Sequence, residues 1–210
     1  MTGSRQVGWF RSVTQPAPTR LALLDESDWD PQLGSIPSGL GTVLNVRRVM
    51  AHHPELPAAW TPLRNHVVAN GTLSPRHREL VILRLSHRAG VAYEWHHHFA
   101  RASQAGISVA EAEAVRTGPP VGWADEQEAL LLTVTDELFD GLAVGDAGWA
   151  ELTRFFTIPQ VLDLVVTVGM YTTPAMLINT TGVQIEEEAQ LTSSRGSCWG
   201  VLSSGDRGRL

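Results

Sequence analysis

Lysine is missing from the 210 residues: all 16 basic side chains are arginines, set against 22 acids for a net charge of −6. Schiff-base, pyridoxal-phosphate and P-loop chemistry each need an amine at the reacting centre, so all three are excluded. An acidic chain has no surplus of positive charge for a run of phosphates, and nucleic acid is not expected as a partner. Cysteine is nearly missing too. Cys198, the single thiol, stands in a Ser/Gly-rich tail, which rules out an internal disulfide, a CxxC redox pair and a cysteine-rich zinc site. No secretory leader is evident and no stretch approaches the ~20 apolar residues of a membrane span. The expectation is a soluble, cytoplasmic protein without a membrane partner.

At 43% hydrophobic residues the chain can bury one substantial core or two small ones. Alternation typical of strands is scarce, whereas apolar residues recur at helical spacing, so the fold class expected is all-α. Residues 1–19 and 189–210 show no sustained apolar period and read as flexible terminal segments around a helical domain at 20–188. Local chemistry marks several helices. Ser74 before Pro75 caps a helix over 76–89 that ends at Gly90 and carries Glu79; a second covers 92–105 up to Gly106. Ser108 with Glu111 opens a third, Asp125 a fourth, and Pro159 begins an apolar helix over 161–170. LSPRHRE at 73–79 and TIPQVLD at 157–163 place proline and an acid at equal offsets, suggesting an internal pseudo-repeat.

The chemistry gathers at Tyr93-Glu94-Trp95-His96-His97-His98. Glu94 and His98, four apart, share a helix face, where a carboxylate orients an imidazole and raises its basicity. His97 and Arg101 form the neighbouring stripe. Should Glu79 face the same crevice, two acids and an imidazole make a proton-transfer set. Each member also has a plainer role: Glu94 and His98 as a surface pair, Glu79 as a carboxylate favoured near a helix start. Consecutive histidines point about 100° apart and cannot all hold one ion. With no HExxH motif, no metal is expected. His52 and His53 read as a helix C-terminus; Trp60, Trp123, Trp149 and Asn179 as core or groove lining; Tyr171 as a pocket candidate. No GxSxG elbow or glycine-rich phosphate loop occurs.

The stretch LSPRHRELVILRLSHRAGVAYEWHHHFARASQAGIS, residues 73–108, resembles the core motif of the carboxymuconolactone decarboxylase family, which shares its fold with alkylhydroperoxidase D. AHHPEL at 51–56 and VGMYTTPAMLINTTGV at 168–183 resemble flanking segments, and a weaker likeness runs from Arg20 to Glu188. The resemblance implies an AhpD-like helical bundle and a homo-oligomer, a trimer or hexamer. The peroxidase branch carries a Glu, two cysteines and a His; here that pattern falls on Glu79, Val91, Glu94 and His98. Thiol-based peroxide reduction needs both sulfurs, so antioxidant activity is disfavoured.

The decarboxylase branch implies a cofactor-independent enzyme acting on a small lactone or carbonyl acid. Glu79, Glu94 and His98 are then the catalytic candidates, with Tyr93, Trp95, His97 and Tyr171 binding the small-molecule substrate. Isomerisation or dehydration beside a carbonyl would use the same set, and a non-catalytic ligand- or partner-binding oligomer is the alternative from another class.

Overall fold

The computed structural model describes residues 19–34, 43–118 and 123–186, and every regular element among them is helical. A single 3-10 turn at Glu26–Asp28 is followed by α1 (Pro31–Gly34), α2 (Asn45–Met50), α3 (Glu55–Asn65), α4 (Pro75–Arg88) and α5 (Ala92–Gln104). Then come α6 (Val109–Thr117), α7 (Glu126–Gly141), α8 (Asp146–Phe155) and α9 (Ile158–Thr181). The all-α expectation holds. Thr19, at the end of the segment expected to be flexible, donates to the Gly182 carbonyl (3.1 Å); residues 1–18 and 187–210, Cys198 included, lie outside the described ones.

The predicted caps are present. Ser74 Oγ accepts from the His77 N–H, Ser108 and Glu111 form a capping box, and Asp125 accepts from the N–H groups of Gln127 and Glu128. Gly90, in the left-handed region at φ 63°, lets the chain leave α4 and start α5 within three residues. That tight turn lays α5 back along α4.

Every residue of α4 from Glu79 to Ser86 is buried, because α5, α6, α7 and α9 surround the helix. Val81, Ile82 and Leu85 join Leu131, Val134, Leu152, Leu164 and Val168 in the main core. Leu80 and Leu83 pack with Ala102, Ile107, Val115 and Leu132 on the other side. Each such side chain contributes roughly 1.5–3 kcal/mol over leaving it in water, which offsets the cost of burying Arg84 and Glu79 only because both are paired. Arg84 forks onto Asp136 (2.8 and 2.7 Å) and donates to the carbonyls of Val115 (2.7 Å) and Arg116 (3.1 Å) at the end of α6.

α9 corrects one expectation: it is 24 residues long and holds an 18-residue window of mean hydropathy 1.6, long and apolar enough, by length and composition, to cross a membrane. Gln160, Asp163 and its threonines break the run in the sequence. Its inner stripe, Val161, Leu164 and Val168, belongs to the main core, while Ile158, Leu162, Val165, Val166 and Met176 are exposed. The internal echo has a structural counterpart. Glu79 and Asp163, the two acids at equal offsets, each hold an imidazole, His98 at 2.6 Å and His66 at 2.7 Å.

Candidate active site

The stripe Glu94, His98 and Arg101 of α5 faces a cavity of about 140 Å³ walled by α2, α3 and α9. Leu44, Val46, Trp60, Met170 and Leu177 make its sides apolar, and Arg64 and Tyr171 complete the polar end. His98 is buried at its centre of contacts. Nδ1 lies 2.6 Å from Glu79 Oε2 of α4, and the ring meets Tyr171 edge to face at 4.9 Å. Arg78 approaches the other Glu79 oxygen at 3.3 Å.

Nε2 of His98 has neighbours of opposite kind, Arg101 Nη1 at 2.8 Å and Glu94 Oε2 at 3.4 Å. A guanidinium only donates, so its contact requires an unprotonated Nε2 with the ring proton on Nδ1, directed at Glu79. Protonation turns Nε2 into a donor toward Glu94 and sets it against Arg101. Burial works against the imidazolium, but Glu79 and Glu94 outweigh burial and Arg101 together, holding His98 above its ordinary value. For Glu79, burial pushes upward, yet the bond from His98 and the charges of His98, Arg78 and Arg101 bring the carboxyl below the usual range. Tyr171 stays a phenol: burial, then the Glu94 charge, push it up. A buried imidazole poised to carry a second proton beside a cavity can give that proton to, or take one from, a bound carbon acid.

Of the sequence candidates, the fold brings Glu79, Glu94, His98 and Tyr171 together. Tyr93, Trp95 and His97 are turned elsewhere, because each step along α5 rotates a side chain about 100°. Trp95 packs on Phe99 and under the Arg116 guanidinium, 3.8 Å from its ring centre, and His96 is exposed. His97 does not pair with Arg101, which bends back to His98; it follows Tyr93 to Glu186 instead. Glu186 Oε1 accepts from Tyr93 Oη (2.6 Å) and the Asn45 N–H (2.6 Å), and Oε2 stands 2.8 Å from His97 Nε2 in ion-pair range, off the line of a good hydrogen bond. The carboxylate thus ties the chain after α9 to the start of α2, the helix that supplies Val46 and Met50 to the cavity. Trp60 lines the cavity, Trp123 donates to Glu128 (2.9 Å), Asn179 donates to the Ala89 carbonyl (3.0 Å), and Trp149 is half exposed. His52 and His53 follow the end of α2 at the surface. Among the described residues no three His, Cys, Asp or Glu side chains group as a metal site.

Glu186 gives an acid-stability prediction. Burial raises its carboxyl, but the close His97 imidazole and the bonds from Tyr93 and the Asn45 N–H overcome this and hold it at about 2. A depressed folded value stabilises fully above the unfolded value near 4.5 and is lost as pH falls toward 2. Glu186→Gln is expected to cost roughly 1–3 kcal/mol at neutral pH. Urea melts at pH 7 and pH 3 should show that cost shrinking in acid; a pH-independent difference would contradict it.

Residues 54–134 match the sequence model of the carboxymuconolactone decarboxylase family, a shorter span than the weak likeness over 20–188. The match covers less than half of the chain. The fold itself is AhpD-like. An uncharacterised peroxidase-related protein from Ralstonia eutropha JMP134, described as an alkylhydroperoxidase AhpD core, is 17% identical, with 82% of this chain and 95% of the other covered at a TM-score of 0.70. A protein of unknown function from Agrobacterium tumefaciens, a putative antioxidant defence protein AhpD, is 22% identical over 66% and 96% at 0.60. The debrominase Bmp8, in complex with 2,3,4-tribromopyrrole, is 19% identical over 84% and 100% at 0.69. Likeness at these identities is a likeness of fold. No curated protein matches the chain.

Proposed function

We propose that this protein is a cytoplasmic, cofactor-independent enzyme that decarboxylates a small lactone or carbonyl acid by acid–base proton transfer. The observation that carries this reading is the buried Glu79–His98 pair, 2.6 Å apart, with Nε2 on the side of the cavity. Cleaving the carbon–carboxylate bond sends its electron pair into the substrate's conjugated carbonyl and releases carbon dioxide. The dienolate then takes the Nε2 proton on carbon, and bulk water restores the imidazolium. Glu79 is a positioning residue: it accepts from Nδ1, fixes the ring and stabilises its positive form. Tyr171 Oη supplies a donor for the enolate oxygen. Val91 and Glu94 stand where the peroxidase branch has thiols, which leaves no sulfur route at this pair. A homo-oligomer is supported by the exposed apolar side chains of α9, Leu162, Val165 and Val166 among them.

The experiment is turnover on a panel of small unsaturated keto and lactone acids in deuterium oxide. Carbon dioxide release with one deuterium on the product carbon is the expected result, lost in Glu79→Gln. Deuterium uptake without carbon dioxide would replace decarboxylation by isomerisation, and saturable binding without turnover would leave the ligand-binding alternative.

A further inference from the structure

Arg64 and Arg101 reach the polar end of the cavity from α3 and α5. Other arginines of the fold, Arg76, Arg84 and Arg88 among them, are matched to carboxylates. These two are not: among the described residues, Arg64 donates to Asn65 Oδ1 (3.1 Å) and Arg101 to His98 Nε2 (2.8 Å). They stand close enough for the Arg101 charge to disfavour that of Arg64, which burial already disfavours. Glu94 also lines the cavity, but among the described residues no carboxylate stands within ion-pair range of either guanidinium, and this leaves a place for an anion between them. The remaining space suits a small, mostly apolar body. At about 140 Å³ it is comparable with the roughly 150 Å³ void that admits benzene.

On the acid–base reading above, the position of the anion follows from where charge moves. Guanidiniums on the carboxylate that departs as carbon dioxide would hold the ground state and resist the reaction, whereas on a retained carboxylate they orient the substrate at no such cost. We propose that Arg64 and Arg101 form the subsite for a retained carboxylate of a single-ring acid, and that seating this group draws Arg101 off His98 Nε2. The free enzyme then keeps Nε2 capped and unprotonated, and the substrate itself uncaps it so that it can take up the proton it later gives. The groups facing His98 are Glu79 from α4, Glu94 and Arg101 on α5, and Tyr171 from α9, with Arg64 across the cavity. With Arg101 gone from Nε2 the two carboxylates act on the imidazole unopposed, so its titration moves up.

Benzoate and benzamide, alike in shape and different in charge, test this on the full chain by calorimetry and by NMR titration of the His98 ring. The ring signal is assigned by its loss in His98→Gln or, if that variant unfolds, by through-bond correlation to the backbone of residue 98. Benzoate is expected to bind roughly tenfold or more tighter than benzamide, and to raise the His98 midpoint where benzamide does not. Arg64→Gln and Arg101→Gln should each remove the preference without weakening benzamide, and Arg101→Gln should show the raised midpoint with no ligand. Equal binding of the two probes, no binding of benzoate, a preference that survives both substitutions, or a His98 midpoint unmoved at saturation would overturn the proposal. An absent preference alongside turnover that Glu79→Gln abolishes refutes the subsite alone; a clear preference with no turnover on the acid panel refutes the acid–base reading alone.

Discussion

A His98→Gln protein is expected to keep its helices and lose roughly 10²–10⁴-fold in kcat on any acid the wild type consumes. Glutamine is chosen over alanine because its amide can still donate to Glu79, whose side chain is only 3% exposed and would otherwise be stranded. What the amide cannot do is carry a transferable proton. The same assignment fixes the pH profile. If the imidazolium is the donor, wild-type kcat declines as pH rises through the His98 value, which lies above the ordinary imidazole value of about 6.5. Glu94→Gln removes one of the carboxylates that hold it there, so the midpoint moves down. A His98→Gln enzyme with undiminished kcat, or a profile indifferent to Glu94, would remove His98 from the chemistry.

The second large effect concerns the scaffold. Asp136→Ala is expected to cost about 3 kcal/mol, lowering Tm by roughly 6–12 °C in a chain of this size. The cause is what it leaves behind: the Arg84 guanidinium, only 7% exposed, loses both branches of its fork and keeps only the two carbonyls at the end of α6. The converse change, Arg84→Met, should be milder. Asp136 is 21% exposed and retains Arg88 at 3.1 Å, and methionine fills most of the vacated volume. Thermal melts of both variants settle the order; equal losses would mean that the stranded charge is not what matters.

The parts of this molecule that could be read from sequence are those whose cause is local. Ser74, Ser108 and Asp125 announce helix starts because a side-chain oxygen three residues from a backbone N–H is a short-range device. Glu94 and His98 announce a shared face through spacing alone. α3 and α8 escaped because their N-cap residues, Pro54 and Gly145, offer no side-chain bond; of α2 only the end was marked, by His52 and His53, since its six residues are too few to display a period. Arg64 carries no local mark either; its importance comes from α3 lying across the cavity from α5. Glu186 opens a run of three glutamates, EEE at 186–188, which reads as solvated surface. It is instead a buried acceptor for groups more than 90 positions away. Pair geometry between helices is a property of packing, and a single sequence shows only which residues are eligible.

That carboxylate also sets an order of events during synthesis. Asn45 and Tyr93 are made early, yet the acceptor for their N–H and O–H comes only after the whole of α9. While the nascent chain lengthens, both members of the Glu79–His98 pair are present once α5 has been made, and α2 can already reach Tyr93 through the Val46 N–H (3.3 Å), but the carboxylate that holds the Asn45 N–H is still missing. The buried pair thus precedes in chain order the carboxylate that ties α2 to the end of α9, and that carboxylate belongs to the last described residue.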